Sequence, residues 1–249
     1  MPDSSIIARR RFLAGILSCP LCLAAATPEW NYGDAGPERW PSLDPAFKAC
    51  GAGDQQSPVD LGDGIRAQLP KIQIDWKKTP LTLMNNGHTI QASVPRGSAV
   101  RIGTVSGSLA QFHFHAPSEH AIDGKREAME VHFVHNEQHD RIIVLAAMLK
   151  AGGANAAFSQ IMRLAPPRPG AEAAIPDPLD PMELLPAARQ SAWRYEGSLT
   201  TPPCSQVVDW IIFDQPLSAA EADIDRFTNI FPMNARPLQP IERRYILRG

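Results

Sequence analysis

The sequence predicts a mostly β (α+β) fold, in which one domain is built around a central twisted, largely antiparallel mixed sheet with short peripheral helices. Three observations predict it. Apolar runs with strand-like composition recur along the chain, glycine, proline and asparagine residues separate them, and helical periodicity is convincing in only two segments. The chain has 249 residues, of which 44% are hydrophobic, enough for one domain with a sizeable core.

The predicted elements follow one another without an internal repeat or an interdomain linker. Five strands come first, followed by a short helix, a proline-rich surface loop, a sixth strand and a second helix. The second helix opens with Ser218 three residues before Glu221, the spacing of a capping box. In order, the predicted ranges are 81–84, 88–94, 110–115, 127–134 and 142–149 for the strands, 155–164 for the helix, 166–186 for the loop, 207–213 for the sixth strand and 218–230 for the last helix.

The N-terminal segment, residues 1–26, is predicted to be an export signal that is removed from the mature protein. Arg9 and Arg10 precede an apolar stretch that ends near Ala26 and is shorter than the roughly 20 residues needed to span a bilayer. Arg9-Arg10, one further residue and Phe12-Leu13 resemble a twin-arginine signal, and an ordinary arginine-rich secretory signal is the alternative. The mature domain, residues 27–249, is therefore expected in the periplasm.

Cysteine usage and charge bear on the compartment and the partners. Two of the four cysteines lie within the predicted signal, which leaves Cys50 and Cys204 in the mature chain. An even pair in an oxidising compartment is a disulfide candidate.

A formal net charge of −2 without long basic or acidic runs gives no sign of a nucleic-acid or acidic-lipid partner. No membrane span is predicted in the mature chain, and the sequence does not indicate an oligomeric state.

Two of the predicted strands carry histidines at alternate positions. Gln111, His113 and His115 alternate with two phenylalanines, and Glu130 and His132 alternate with Val131 and Phe133 in the later strand. Because successive side chains of a strand point to opposite faces, each polar set occupies one face of its strand.

The turn between these strands predicts how the two faces meet. Asp123-Gly124 is the strongest type of two-residue hairpin signal. Antiparallel pairing around this turn brings His113 almost opposite His132, and His115 lies on the same face. Three imidazoles without a nearby cysteine predict a zinc site whose fourth position is open to water. Gln111 and Glu130 are placed to accept the other ring N–H of the histidine ligands.

The chain resembles the α-class carbonic anhydrases, in particular the exported bacterial type, over nearly all of its mature length. Eight blocks carry this resemblance: WNYGDAGPERW (30–40), QSPVDL (56–61), NNGH (85–88), QFHFH (111–115), SEH (118–120), EVHFVH (130–135), GSLTTPP (197–203) and NARPLQP (234–240). The resemblance implies reversible hydration of carbon dioxide to bicarbonate and a proton, with zinc-hydroxide attack and histidine proton shuttling.

The resemblance also implies a role for individual residues. His113, His115 and His132 would bind Zn²⁺, and Thr200 would donate its proton to Glu119 and so orient the attacking hydroxide. Five residues match the apolar wall of the carbon dioxide pocket: Val134, Val144, Leu199, Val208 and Trp210.

The proton shuttle of the family matches His88, whose imidazole suits a relay near neutral pH. Tyr32, Asn86 and Gln91 would hold the connecting waters, and Gln91 departs from the asparagine that many members carry. That departure puts the shuttle rate in doubt, not the reaction.

Several structural features follow from the same resemblance. Cys50 and Cys204 match a disulfide of exported members, and Ser57-Pro58 and Pro202-Pro203 match bonds that are cis in the family. The remaining histidines are expected to be structural (His120 and His135) or solvent-exposed (His139).

Two other readings use the same residues. Gly107, His113-x-His115 and Glu119 fit the start of a cupin metal motif, in which Glu119 is itself a ligand of iron or manganese. The later P-x-G turn with a histidine and an asparagine at cupin spacing is absent from the sequence. The second alternative is a binding module on a catalytically dead anhydrase fold. Such proteins usually lack at least one zinc histidine, whereas this chain retains all three.

Overall fold

The structure is a computed structural model that describes residues 29–137 and 141–249. The predicted export signal and His139 lie outside the described residues. Within those two ranges, the longest apolar helices fall short of what a membrane crossing requires.

The described residues form thirteen strands, four α-helices and two 3₁₀ turns, the latter at Pro45–Phe47 and Pro181–Leu184. The α-helices are α1 (Trp40–Leu43), α2 (Ala49–Ala52), α3 (Ala156–Leu164) and α4 (Glu221–Ile230). The strands are β1 (Ile65–Arg66), β2 (Ile72–Asp75), β3 (Thr79–Asn85), β4 (Ile90–Ser93), β5 (Ala99–Ile102), β6 (Val105–His115), β7 (Met129–Asn136), β8 (Ile142–Ala151), β9 (Glu172–Leu179), β10 (Ala192–Gly197), β11 (Val208–Phe213), β12 (Leu217–Ala219) and β13 (Leu247–Arg248).

All thirteen strands belong to one sheet, with β1-β13-β10-β11-β8-β7-β6-β4-β3-β9 as its main order. Off this path, β12 pairs with β8, β5 with β6, and β2 with β5. Three pairs are parallel, namely β1 with β13, β8 with β11 and β8 with β12, and the other pairs are antiparallel. The predicted fold class, a largely antiparallel mixed sheet with short peripheral helices, is confirmed.

The two faces of the central strands pack into different apolar clusters. Phe112 and Phe114 of β6 and Phe133 of β7 are fully buried in the larger cluster, which also takes in α3 and α4. Burying one such side chain stabilises the fold by roughly 1.5–3 kcal/mol. This packing fixes which face of each strand looks inward, so the alternate positions, including His113 and His132, must lie on the other face.

Both predicted helices are present, but the N-cap predicted for the second helix is wrong. Asn155 caps α3 by accepting a hydrogen bond from the Phe158 backbone amide at 2.8 Å. Ser218 does not cap α4, since the cap residue is Ala220 and no side chain accepts there. Ser218 instead lies in β12 and pairs in register with Lys150 of β8, which commits its backbone to the sheet.

The prediction of a surface loop over residues 166–186 is wrong in its middle part, which forms β9 and pairs with β3. Pro176 and Pro178 have no amide hydrogen to donate, which excludes them from a central strand, but β9 is the last strand of the sheet order and tolerates them. Ile175 and Leu179 anchor this edge strand in the larger core.

The predicted disulfide joins Cys50 of α2 to Cys204, with an S–S distance of 2.05 Å and a Cα–Cα distance of 5.0 Å. It connects the N-terminal helices to the segment between β10 and β11. The Ser57-Pro58 and Pro202-Pro203 peptide bonds are cis as predicted, and Ala116-Pro117 is also cis.

Candidate metal centre

The strand register brings the predicted histidines together. In the β6–β7 pair, His113 lies opposite His132 and His115 lies opposite Glu130. The tight turn has positive φ at both central residues, 50° at Asp123 and 75° at Gly124, as a type I′ turn requires. The flanking backbones of Ile122 and Lys125 exchange hydrogen bonds of 2.9 and 3.0 Å. The prediction that His113 lies almost opposite His132 is therefore confirmed.

His113, His115 and His132 converge on one point. One ring nitrogen of each lies within 4.8 Å of the corresponding nitrogens of the other two. The ring centroids are 4.7 Å apart for His115 and His132, 5.0 Å for His113 and His115, and 5.3 Å for His113 and His132. Three imidazoles at this separation form a group that can bind one metal ion.

The hydrogen bonds of the rings fix which nitrogens face the centre. His115 Nδ1 lies 2.7 Å from the backbone oxygen of Asn234, which can only accept, so the His115 proton is on Nδ1 and the lone pair is on Nε2. His115 Nε2 is buried and has no hydrogen-bond partner among the described residues.

The other two histidines are held in the same way. His113 Nδ1 lies 2.9 Å from Gln111 Oε1, and His132 Nε2 lies 2.8 Å from Glu130 Oε1. Nε2 of His113 and Nδ1 of His132 are therefore left with lone pairs toward the centre. The site offers three oriented nitrogen donors, one of them a buried atom without a hydrogen-bond partner among the described residues, and it contains no cysteine. This donor set fits a zinc ion.

The protonation of these rings also fits a metal centre. Burial lowers the pKa of His113 well below its usual value, and the neighbouring His115 and His132 lower it further. Burial likewise lowers the pKa of His115, although the Glu119 carboxylate opposes that shift. Neutral imidazoles keep the lone pairs that metal binding needs.

Glu130 is the acceptor at one end of a buried chain of hydrogen bonds. The sequence predicted only its contact with a histidine ligand. Besides His132, it accepts from His120 Nδ1 at 2.7 Å and from the His120 amide at 2.8 Å. His120 Nε2 is 2.6 Å from the Tyr195 hydroxyl, which is 2.9 Å from Ser57 Oγ. Burial raises the pKa of Glu130, but the two histidines outweigh it and hold that pKa well below the usual range, so the carboxylate is ionised.

Glu119 lies at the centre, but the structure does not join it to Thr200. Its Oε1 accepts from the backbone amide of Arg236 at 2.9 Å. Its Oε2 is buried without a hydrogen-bond partner, 3.6 Å from His115 Nε2 and 4.0 Å from His132 Nδ1. None of the hydrogen bonds found within residues 29–137 and 141–249 connects the buried Thr200 to this carboxylate.

The five residues expected to line the carbon dioxide pocket share one apolar cluster, the smaller of the two large clusters. Val144, Val208 and Trp210 are buried members of it, and Val134 and Leu199 pack against it partly exposed. The Trp210 ring packs against one histidine of the metal centre, since its centroid lies 4.9 Å from that of His132. The predicted pocket residues are thus brought together beside the histidine cluster.

The expected shuttle residue, His88, is half-buried and stacks on Trp30, with centroids 3.6 Å apart and ring planes 7° apart. Burial lowers the pKa of His88. Trp30 opens the first of the family-like blocks, but its sequence position predicted no role for it. Asn234, for which the sequence predicted no role either, donates to the His88 backbone oxygen at 2.9 Å.

The three residues expected to hold the shuttle waters differ in their surroundings. Gln91 pairs in register with His113 and so lies beside it in the sheet. The Tyr32 hydroxyl is buried without a partner among the described residues. Asn86 is exposed, and its Oδ1 accepts from the backbone amides of His88 and Thr89 at 2.9 Å. That oxygen is therefore used to form the turn that carries His88.

Comparisons with known proteins agree with this geometry. A family model described as eukaryotic-type carbonic anhydrase matches residues 35–248. A carbonic anhydrase of Pectobacterium carotovorum is 34% identical over 236 residues, covering 93% of this chain and 96% of that protein. A carbonic anhydrase of Neisseria gonorrhoeae is 37% identical over 240 residues, covering 93% and 94%. The solved complex of an α-carbonic anhydrase from Thermovibrio ammonificans with the inhibitor sulfanilamide has a TM-score of 0.86 at 36% identity, covering 89% of this chain and 100% of that chain.

Proposed function

Because the chain belongs to the eukaryotic-type (α) carbonic anhydrase family, it is a carbonic anhydrase acting on carbon dioxide and bicarbonate, and we propose that it does so with one Zn²⁺ ion held by His113, His115 and His132. The observation that carries this proposal is the convergence of three ring nitrogens, each freed by a hydrogen bond at the other nitrogen of its ring. Zinc in such a site supplies Lewis acidity that makes hydroxide available near neutral pH, an effect for which carbonic anhydrase is itself the standard example.

The role proposed for Glu119 is to fix the hydroxyl of Thr200. An ionised carboxylate only accepts hydrogen bonds, so Thr200 would donate to it and present its own lone pairs to the attacking oxygen nucleophile. Glu119 Oε2 supports this role, because it is buried and is not used by any other donor of the described residues. The contact is proposed for the zinc-loaded enzyme, since catalytic hydrogen bonds often tighten only in the reacting complex.

The remaining residues bind the substrate and move the proton. Carbon dioxide is small and apolar, and the wall of Val134, Val144, Leu199, Val208 and Trp210 offers it an apolar surface beside the histidines. His88 would accept the proton released in each turnover and pass it to buffer. Its half-buried position, stacked on Trp30, supports this role because part of the residue stays exposed to solvent, where buffer can take the proton.

Two assays test this function. Purified protein should hydrate carbon dioxide, lose the activity when a chelator strips the metal, and regain it with Zn²⁺. His132→Ala should lose both zinc and activity, whereas the matched control His88→Ala should retain its zinc. Full activity after complete removal of the metal would refute the proposal.

We also propose that residues 1–26 direct export to the periplasm and that residues 27–249 form the mature domain. The Cys50–Cys204 disulfide supports export, because such bonds persist in oxidising compartments. Changing Arg9 and Arg10 to lysine should trap the precursor in the cytoplasm if the twin-arginine route is used. Unchanged export of that double variant would point to the general secretory route.

A further inference from the structure

Arg236 is a buried arginine whose guanidinium is bonded to the N-terminal part of the domain. Its side chain is almost fully buried, with 1% of the residue exposed. Nη1 donates to Gln56 Oε1 at 2.9 Å and to the Ser57 backbone oxygen at 2.8 Å, and Nη2 donates to the Cys50 backbone oxygen at 2.7 Å. The guanidinium carbon lies 5.7 Å from the centroid of the Trp40 ring.

The backbone of the same residue holds the carboxylate of the active site. The Arg236 amide donates to Glu119 Oε1 at 2.9 Å, the one hydrogen bond that this carboxylate accepts from the described residues. No ion pair within 4.0 Å joins the guanidinium to a carboxylate of the described residues. A buried charge without a counter-ion is costly, so its carbonyl and amide acceptors are what keep it in place. Burial lowers the pKa of Arg236 to about 10, and the Glu119 carboxylate opposes that shift.

A second connection leads from the guanidinium to the segment that carries Thr200. Gln56, which accepts from Arg236, donates its Nε2 to the Cys204 backbone oxygen at 3.1 Å. The Cys204 amide donates to the Thr201 backbone oxygen at 2.9 Å, and the disulfide closes the connection back to Cys50. Both members of the proposed Thr200–Glu119 pair are therefore connected to one buried residue, Glu119 through the Arg236 backbone amide and the Thr200 segment through the guanidinium.

We propose that Arg236 is a positioning residue for Glu119 and Thr200, holding the carboxylate through its backbone amide and the threonine loop through Gln56 and Cys204. The inference rests on the proposed function, since it assigns Arg236 a part in the same reaction. Replacing the guanidinium by an apolar side chain leaves three buried acceptors unpaired at Gln56, Ser57 and Cys50. The chain around residue 236 can then shift toward other donors, and Glu119 shifts with the amide that binds it.

The test compares Arg236→Met with a matched control, Arg244→Met. Arg244 is also a partly buried arginine that donates to backbone oxygens, those of Gln56 and Pro240 at 2.8 Å, and lies over an aromatic ring, 5.6 Å from the centroid of Tyr195. Its own amide donates to the Ile241 backbone oxygen, so it does not hold the carboxylate. Both variants are expected to lose thermal stability. Stability alone therefore cannot separate a positioning role from a structural one.

The deciding readout is kcat/KM per bound zinc, measured also in the Glu119→Gln background. Arg236→Met is expected to retain about one zinc and to lose roughly 10- to 100-fold in kcat/KM, as displaced catalytic groups do, whereas Arg244→Met keeps its wild-type value. If Arg236 acts through Glu119, adding Arg236→Met to Glu119→Gln should cost less than about threefold more. Exogenous imidazole should not restore the loss, because proton transfer to buffer is intact.

Equal kcat/KM in the Arg236 and Arg244 variants, or losses that multiply in the double variant, would overturn the proposal. If Arg236→Met does not fold, Arg236→Lys serves instead, since it keeps the charge and part of the donor set. That variant should show a smaller loss that disappears in the Glu119→Gln background, and wild-type kcat/KM would overturn the proposal. Absence of carbon dioxide hydration by the wild-type protein would refute the proposed function itself.

Discussion

Replacing Glu130 by glutamine should weaken both the fold and the metal site. Glu130 is completely buried and accepts three hydrogen bonds, at 2.7 and 2.8 Å from His120 and at 2.8 Å from His132. Glutamine keeps the shape but loses the charge and turns one oxygen into an NH₂ donor. At least one of the three N–H groups that donate to Glu130 must then face the NH₂ group of the glutamine.

The magnitude follows from those contacts. Hydrogen bonds to a charged acceptor contribute roughly 1.5–3 kcal/mol each, and a buried donor left unpaired costs roughly 1–3 kcal/mol. Because glutamine can still accept two of the bonds in neutral form, we expect the metal-free protein to lose about 3 kcal/mol of unfolding free energy. His132 also loses the charged acceptor that fixes its tautomer and keeps only a neutral one, so zinc affinity should fall by about 10- to 100-fold.

Two assays and one control separate these effects. Urea unfolding of metal-free protein reports the fold, and competition with a chromogenic chelator reports zinc affinity. Glu196→Gln is the control, because the Glu196 side chain is 71% exposed and its only ion pair among the described residues is with Arg141 at 3.4 Å. We expect changes within about 0.5 kcal/mol there. A Glu130→Gln protein with the unfolding free energy and zinc affinity of the control would refute the reasoning.

Three further predictions concern proton transfer, the disulfide and acid stability. His88→Ala should lower kcat at high carbon dioxide while leaving kcat/KM nearly unchanged, and imidazole buffer should restore much of the loss. Opening the Cys50–Cys204 bond, which spans 154 positions, should cost up to about 5 kcal/mol of unfolding free energy in the chain-entropy model. Burial lowers the pKa of His135 to about 4, whereas the unfolded residue titrates near 6.5. The unfolded state therefore binds the proton first, and this group should remove about 3 kcal/mol of stability as the pH falls from about 6.5 to 4.

Each of these predictions has a contrary outcome. Equal losses of kcat and kcat/KM in His88→Ala, without rescue, would mean that the residue acts in substrate attack or in folding. Two titratable thiols in unfolded, unreduced mature protein would exclude the disulfide. If the pH dependence of stability between 6.5 and 4 is the same in His135→Gln as in the wild type, the titration of His135 is not its cause.

The histidine cluster shows what local sequence pattern determines. A strand repeats every two residues, so the alternation around His113 and His132 decided which side chains share a face, and the Asp123-Gly124 turn indicated that the two strands pair as antiparallel neighbours. Both rest on neighbouring residues, which is why the pairing of His113 with His132 was predicted correctly. Ser218 shows the limit of the same logic, because a valid capping box was overridden when its backbone paired with β8.

The tertiary structure decided which residues hold the histidine ligands and Glu119 in place. Asn234 orients His115 from 119 positions away, and Arg236 holds Glu119 from 117 positions away. Neither contact leaves a periodic pattern, because both come from a loop that the packing of α4 brings back to the sheet. The edge position of β9 was also decided there, since only the finished sheet shows that β9 is its last strand, where prolines without an amide hydrogen are tolerated. Short-range periodicity thus determined the ligands, and long-range packing determined what holds them.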